Sequence, residues 1–418
     1  MTKRQPYLIT HWCGIPASHL RRADGTLASE RFAQMKAAGL NLIAPYDHGI
    51  QTNREILELC HRLGLRVTLS DHRLHAALRD EPNRRALLQS VVSDYADCPA
   101  LHGYHLFDEP HRSDFPALAD TLSLLKQLDP THEGYINLFA NYVPTSLLGC
   151  EKYTDYVHQF TSEVKPSILS YDHYHFLTDE PMPAFDIPNE RERLIFESAY
   201  QKQGRPGFFD NIEDIRTAAA AAGIPFMVIV LLTAHGPFRD LTEPEIRFEV
   251  YQSLAYGACR LSYFTYWTPG IPDDVHDIWR WKSGMVDWYG QPTHHYDMVA
   301  RINRELQAVG TLLAGKRNLD VFHVGTCPDT KTTPWSGAYG DISALDANDL
   351  TVGCFEDHYF LLANKDFCQP ITATLTVKDG KYIEQYDKQI GEWVSPPPVN
   401  GCYRITLDAG DAQLIRTK

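Results

Sequence analysis

The segment Gly103-Tyr104-His105-Leu106-Phe107-Asp108-Glu109-Pro110 runs apolar and aromatic, then stops on two adjacent carboxylates and a proline. Carboxyl groups in such a place can transfer protons or attack an electrophilic carbon. Read as a strand, the run delivers Asp108 and Glu109 to its C-terminal end, where Pro110 ends ladder pairing. Two acids inside a hydrophobic strand would be costly, so they belong at an open mouth. Neighbours on a strand point to opposite sides. That makes Glu109 the general acid/base, its pKa raised by apolar walls such as Phe107 and Trp267. Asp108 is left either as an outward-facing orienting group or as a substrate contact.

Such groups need a frame. Residues 5–315 alternate short apolar runs with amphipathic helical segments. The strands read as Tyr7–Trp12, Asn41–Tyr46, Arg66–Ser70, His102–Phe107, Gly134–Phe139, Ile168–Tyr171, Pro225–Leu232 and Arg260–Tyr266. Eight such units spell an α/β fold of the (β/α)8 TIM-barrel kind over residues 1–316. An open doubly wound sheet is the rival, but the phosphate-binding glycine fingerprint after the first strand is missing. An acidic, proline-bearing insertion, residues 177–207, follows the sixth strand on the side where barrels build their clefts. Past residue 316 alternating strands and turns such as Asp379-Gly380 and Asn400-Gly401 take over, predicting a small C-terminal β-sandwich over residues 317–418. Its aromatics Trp335, Tyr359 and Trp393 could bind carbohydrate, but such an appended sandwich more often packs on the barrel and excludes water from its flank.

In this architecture the residues just past the strands converge on one mouth. They are Trp12, Tyr46, Asp47, His48, Asp71, His72, Asp108, Glu109, Asn141, Asp172, His173, Tyr174, His175, His235, Tyr266 and Trp267. Aromatic rings can stack on the C–H faces of a sugar while carboxylates and imidazoles bind its hydroxyls. A carboxylic acid closing the fourth strand resembles the large clan of barrel glycoside hydrolases whose acid/base sits in an Asn-Glu-Pro motif there. Tyr171-Asp172-His173-Tyr174 and Leu254-Ala255-Tyr256-Gly257-Ala258, with Tyr263-Phe264-Thr265-Tyr266-Trp267, also resemble bacterial glycosidase-like barrels. The resemblance implies Glu109 as acid/base, His173 or Tyr174 as supports and Trp267 as a sugar platform. It implies a carbohydrate substrate and no cofactor or metal.

Two departures stand out. The clan has Asn where this chain has Asp108, and its nucleophilic Glu closes the seventh strand, which here ends Leu232-Thr233-Ala234-His235. Three routes stay open. Asp172 can be the nucleophile of a retaining enzyme, with Glu243 or Glu245 behind it, although Thr242-Glu243-Pro244-Glu245 reads as a helix capping box. The Asp108-Glu109 pair resembles substrate-assisted β-N-acetylhexosaminidases, in which the Asp orients an acetamido group. A distant base can instead activate water with inversion. Outside this class, the Asp47-His48, Asp71-His72 and Asp172-His173 dipeptides could hold a divalent metal in a barrel isomerase or hydrolase, but no fixed ligand spacing appears. A non-catalytic carbohydrate-binding barrel is the remaining alternative.

Composition narrows the partners. The 418 residues carry a formal net charge of -14, against nucleic acid and anionic membranes as partners. The basic start Met1-Thr2-Lys3-Arg4-Gln5-Pro6 is not followed by the 7–15-residue apolar segment of a secretory signal, and no stretch approaches the 18 uninterrupted apolar residues of a membrane span. Nine scattered cysteines without a CxxC pair suit reduced thiols, hence a cytoplasmic protein. Nothing in the sequence fixes an oligomeric state.

Overall fold

The computed structural model describes residues 5–418 except 272, 273, 275 and 276. The chain begins β1 (Leu8–His11), α1 (Ala17–Leu20), α2 (Ser29–Ala37), β2 (Leu42–Ile43), α3 (Ile50–Leu63), β3 (Arg66–Leu69), α4 (His72–Arg79), α5 (Arg84–Tyr95) and β4 (Leu101–Asp108). It continues with α6 (Phe115–Leu128), β5 (Glu133–Asn137), α7 (Thr145–Leu148), α8 (Tyr153–Glu163), β6 (Leu169–Asp172), α9 (Glu190–Tyr200) and α10 (Phe208–Ala222). Then come β7 (Phe226–Leu231), α11 (Glu243–Ala255), β8 (Arg260–Phe264) and α12 (His294–Leu313).

The eight strands are parallel and pair as two four-stranded sheets, β2-β3-β4-β5 and β1-β8-β7-β6. Backbone bonds join the sheet edges. Leu138 N–H donates to Ser170 O at 2.8 Å, and Asn41 N–H to Ile9 O at 3.1 Å. The Asn41 side chain adds bonds to Ile9 N and Tyr7 O. Strands covered on both faces lose the apolar–polar alternation, and β7 (FMVIVL) is buried along its whole length. Helices obey the opposite rule. α3 buries Ile56, Leu57, Leu59 and Cys60 on one stripe, then ends at Gly64, whose left-handed φ of 69° lets its N–H bond the last carbonyls.

Most strand ends fall within one or two residues of expectation. The second strand is the exception, only Leu42–Ile43, because Pro45 has no N–H to give a ladder. α9 lies in the insertion that follows the sixth strand.

The C-terminal part holds β9 (Asn318–Gly325), β10 (Ile342–Asp346), β11 (Asp349–Phe355), β12 (Tyr359–Asn364), β13 (Ile371–Val377), β14 (Ile383–Asp387), β15 (Glu392–Val394), β16 (Tyr403–Leu407) and β17 (Ala412–Thr417). They make a six-stranded sheet, β15-β14-β17-β12-β11-β9, and a three-stranded sheet, β10-β13-β16, all antiparallel. Side chains such as Ile342, Val352, Leu362, Leu375 and Ile405 form a core of their own. Trp335 packs on Phe322, and Trp393 packs on Tyr359 and Tyr386 with the Arg416 guanidinium over its ring.

Polar bonds cross from this part to the helices. Asp329 Oδ2 accepts from the N–H groups of Phe209 and Asp210 at the start of α10, at 2.7 and 3.2 Å. Gly207 makes room for it, since a Cβ there would lie 2.0 Å from the Asp329 carboxylate. Arg247 of α11 pairs with Glu243, Glu305 and Asp411, and Lys388 joins Glu305 and Asp411. Among the described residues, no helix is long and apolar enough to cross a membrane.

Candidate active site

Three carboxyl groups meet at the C-terminal ends of the parallel strands. Asp108 ends β4, Glu109 follows it, and Asp172 ends β6; all three line one cavity of about 240 Å³. Glu109 is the point where the chain leaves the ladder. Its N–H still donates to Asn137 O at 2.9 Å, but its φ is 52°, in the left-handed region that non-glycine residues seldom occupy. This turn breaks strand alternation, so the neighbours Asp108 and Glu109 both face the cavity.

Asn137, at the end of β5, ties the carboxylates together. Its Nδ2 donates to Asp172 Oδ1 at 2.9 Å and to Asp108 Oδ1 at 3.2 Å. Its Oδ1 accepts the Ser170 hydroxyl at 2.9 Å, and Tyr135 in turn donates to Ser170; the two carboxylates, acceptors only when ionised, fix which end of the amide is the NH2. Each amide hydrogen thus serves one carboxylate.

Asp172 is nearly closed off, Glu109 is half-buried and Asp108 keeps open surface. Burial raises the pKa of all three, that of Asp108 to about 6 and that of Asp172 to about 7. For Asp108 and Asp172 the Asn137 hydrogen bond opposes the rise. Glu109 has no such donor, and the charges of Asp108 and Asp172 push it further up. Only the Arg191 guanidinium, 3.5 Å from Glu109 Oε2, pulls it back. When one proton is shared in this cluster, Glu109 holds it, and Asn137 stabilises charge on the other two.

The walls are aromatic. Trp12 comes from the end of β1, Tyr142 from beyond β5, Tyr174 from beyond β6, and Trp279 and Trp281 from the β8–α12 connection. His235, beyond β7, stacks on Trp281 with centroids 4.6 Å apart and planes at 21°. Its Nδ1–H donates to Thr233 O at 2.7 Å, and burial lowers its pKa to about 4, so a neutral ring presents a bare Nε2.

α9 covers one side. Ile195, Ser198 and Ala199 line the cavity, and Arg191 from the same helix donates to Glu109 O at 3.1 Å. The following loop is clamped by Arg205, whose guanidinium lies 3.4 Å from the Tyr142 ring centroid and donates to Tyr174 O at 2.8 Å.

Of the residues expected at the mouth, Trp12, Asp108, Glu109, Asp172, Tyr174 and His235 line this cavity. The others lie elsewhere. Asp71 caps α4, is gripped twice by Arg73 and accepts the Tyr95 hydroxyl. Asp47 accepts from Gly49, Asn53 and His72, and His72 is largely exposed. Asn141 and His173 both bond to Asn211 behind the wall. Trp267 is 1% exposed, its Nε1–H donating to Trp288 O and Arg31 stacked on its ring, so it is core and no sugar platform. Tyr266 is likewise enclosed, and Phe107 packs on His75. Tyr46 lines a second cavity. Glu245 completes the expected capping box and Glu243 pairs with Arg247 and Arg301; neither lines the cavity.

Among the described residues two groups bring three metal-type ligand atoms within 4.8 Å, Asp47–Asp71–His72 and Asp240–His294–His295. In the first, Arg73 and backbone N–H groups already occupy the carboxylates. In the second, both His295 nitrogens face oxygens, Ser283 O and Leu241 O. Neither group adjoins the three carboxyls.

Solved structures resemble this one in fold. A glycoside hydrolase family 5 protein from Bacteroides vulgatus superposes with a TM-score of 0.58 at 11% identity, over 99% of this chain and 88% of that one. A second glycoside hydrolase gives 0.53 at 13% identity, over 99% and 92%. The beta-galactosidase of the psychrophilic Marinomonas ef1 gives 0.50 at 11% identity, over 73% of this chain, which spans 60% of that enzyme. No family model matches the chain, and no curated protein matches its sequence.

Proposed function

We propose that the protein is a glycoside hydrolase acting on an oligo- or polysaccharide, with Glu109 as general acid/base and Asp172 as nucleophile of a retaining reaction. The observation that carries this is the convergence of Asp108, Glu109 and Asp172 in one cavity walled by Trp12, Trp279, Trp281 and Tyr174. The frame we read as a closed (β/α)8 barrel over residues 1–316, followed by a β-sandwich over 317–418. The two seams between the parallel sheets support closure. The fold shared with glycoside hydrolases agrees with this reading. Nine free cysteines suit a reducing, cytoplasmic setting.

In the first step protonated Glu109 gives its proton to the glycosidic oxygen as that bond breaks, and the Asp172 carboxylate bonds to the anomeric carbon. Asn137 holds Asp172 in place and disperses its charge. In the second step the Glu109 carboxylate takes a proton from water, which attacks the same carbon and frees Asp172. The aromatic walls hold the ring and keep bulk water away.

Glu109→Gln should lower kcat by about 10²-fold or more, since positioned proton transfer is worth that much. Substrates with acidic leaving groups should suffer least. Asp172→Ala should abolish turnover, and azide should restore it as a glycosyl azide. Equal losses on good and poor leaving groups would sink the assignment of Glu109.

A second reading rests on Asp108 facing the cavity beside Glu109. There Asp108 would orient a substrate acetamido group that attacks in place of Asp172. A 2-fluoro sugar that labels Asp172, seen by peptide mass spectrometry, excludes it. Strong inhibition by a thiazoline without labelling favours it.

A further inference from the structure

Trp12 lines a second cavity as well, of about 180 Å³, bounded by the parallel strands and by the segments just past β1, β2 and β3. The interior of such a strand assembly is ordinarily filled by layers of Val, Ile and Leu. Here the inward positions include Thr68, His105, Tyr135 and Ser262. Three buried polar atoms on the lining have no hydrogen-bond partner in the protein: His105 Nε2, Ser262 Oγ and Arg260 Nε. Buried polar atoms are almost always satisfied, so this lining is built for a polar occupant.

The chemistry of the lining selects the occupant. Arg260 is neutralised by Glu133, at 2.8 Å, leaving only its Nε–H to offer. Burial keeps the His105 ring neutral. An ion would lose its hydration with no free counter-charge to meet it. A hydroxyl both donates and accepts, matching a Ser oxygen, an imidazole nitrogen and an N–H together. The Trp12 and Tyr135 rings offer apolar faces to C–H groups.

We propose that this chamber is a second ligand site, for an uncharged polyhydroxylated molecule no larger than one sugar ring, set behind Trp12 and separate from the catalytic carboxyls. The site stands whether or not the chain hydrolyses glycosides. Its occupant would lie against Tyr135, whose hydroxyl begins the Tyr135–Ser170–Asn137 chain that holds Asp108 and Asp172.

The test uses the Glu109→Gln protein, glucose as probe and glucuronate as its charged counterpart. Crystals soaked in glucose should show a ring in the chamber with hydroxyls on His105 Nε2 and Ser262 Oγ. In calorimetry Ser262→Val should weaken the glucose event about fivefold to tenfold, the loss of one hydrogen bond. The same variant should melt no lower than its parent, because it removes an unpaired buried hydroxyl. His105→Leu should weaken binding likewise and serves if Ser262→Val fails to fold. Ordered water alone in the chamber at saturating glucose would overturn the proposal. So would glucose affinity indifferent to both substitutions, or glucuronate bound as tightly in the chamber. Glycoside hydrolysis by the parent enzyme is measured apart, so failure of that activity and failure of this site are read separately.

Discussion

Asn137→Leu removes the donor shared by two carboxylates and keeps the side chain's size. A hydrogen bond to a charged group contributes about 1.5–3 kcal/mol, and one pKa unit corresponds to about 1.36 kcal/mol. The 2.9 Å bond to Asp172 favours its ionised form, so losing it should raise that pKa by about one to two units. Asp108, bonded at 3.2 Å, should rise less. In the retaining reaction proposed above Asp172 works ionised, and its titration would set the acidic limb of kcat/KM. That limb should therefore move to higher pH by the same one to two units, with the plateau above it little changed. The assay is kcat/KM for an aryl glycoside from pH 4 to 9. Ser170 loses its acceptor in this variant, costing about 1–3 kcal/mol of stability in denaturant unfolding. Superimposable acidic limbs in folded parent and variant would refute both the Asn137 coupling and Asp172 as the ionised group.

Arg191→Gln takes away the cation that favours ionised Glu109; its acid form should persist to higher pH, moving the basic limb of kcat/KM to higher pH. Trp267→Ala empties a core position and should cost about 3–5 kcal/mol in denaturant unfolding, while KM per folded molecule stays near that of the parent. Asp172→Asn should stabilise the fold above neutral pH. A carboxyl whose folded pKa is raised destabilises fully above that value, and the penalty fades as pH falls toward its ordinary value of about 4. Melting temperatures of parent and Asp172→Asn should thus differ at pH 8 and converge near pH 4.

Local rules made some of this legible in the sequence. The apolar run ending at Pro110 located Glu109, and Thr242 with Glu245 announced a helix start that the structure contains. Asp71 shows where strand-end reasoning fails: an Asp before His-Arg is also a helix cap, and the α4 cap with Arg73 is what it became. Asp108 faces the cavity because of the left-handed turn at Glu109, a choice made by tertiary packing and invisible to period-two alternation. Asn137 had a signal, a lone amide between Ile136 and Leu138 in an apolar strand, and it went unused. Trp279 and Trp281 lie far along a connection whose path no periodicity encodes. Choosing the tryptophan nearest the strand selected Trp267, which packs in the core.

The crossing bonds between the C-terminal strands and the helices bear on how the molecule can be cut. Asp329 supplies the first turn of α10 with acceptors that α10 lacks from its own sequence, because Gly207, which precedes it, has no side chain. Glu305 and Asp411 share Arg247 and Lys388 across the same boundary. A chain ended at residue 316 would leave the first N–H groups of α10 without the Asp329 acceptor and would take Lys388 away from Glu305 and Asp411 away from Arg247. On that account the two parts are expected to unfold as one cooperative unit. Heating should melt both parts in one calorimetric event, and a scaffold for engineering would have to keep them together.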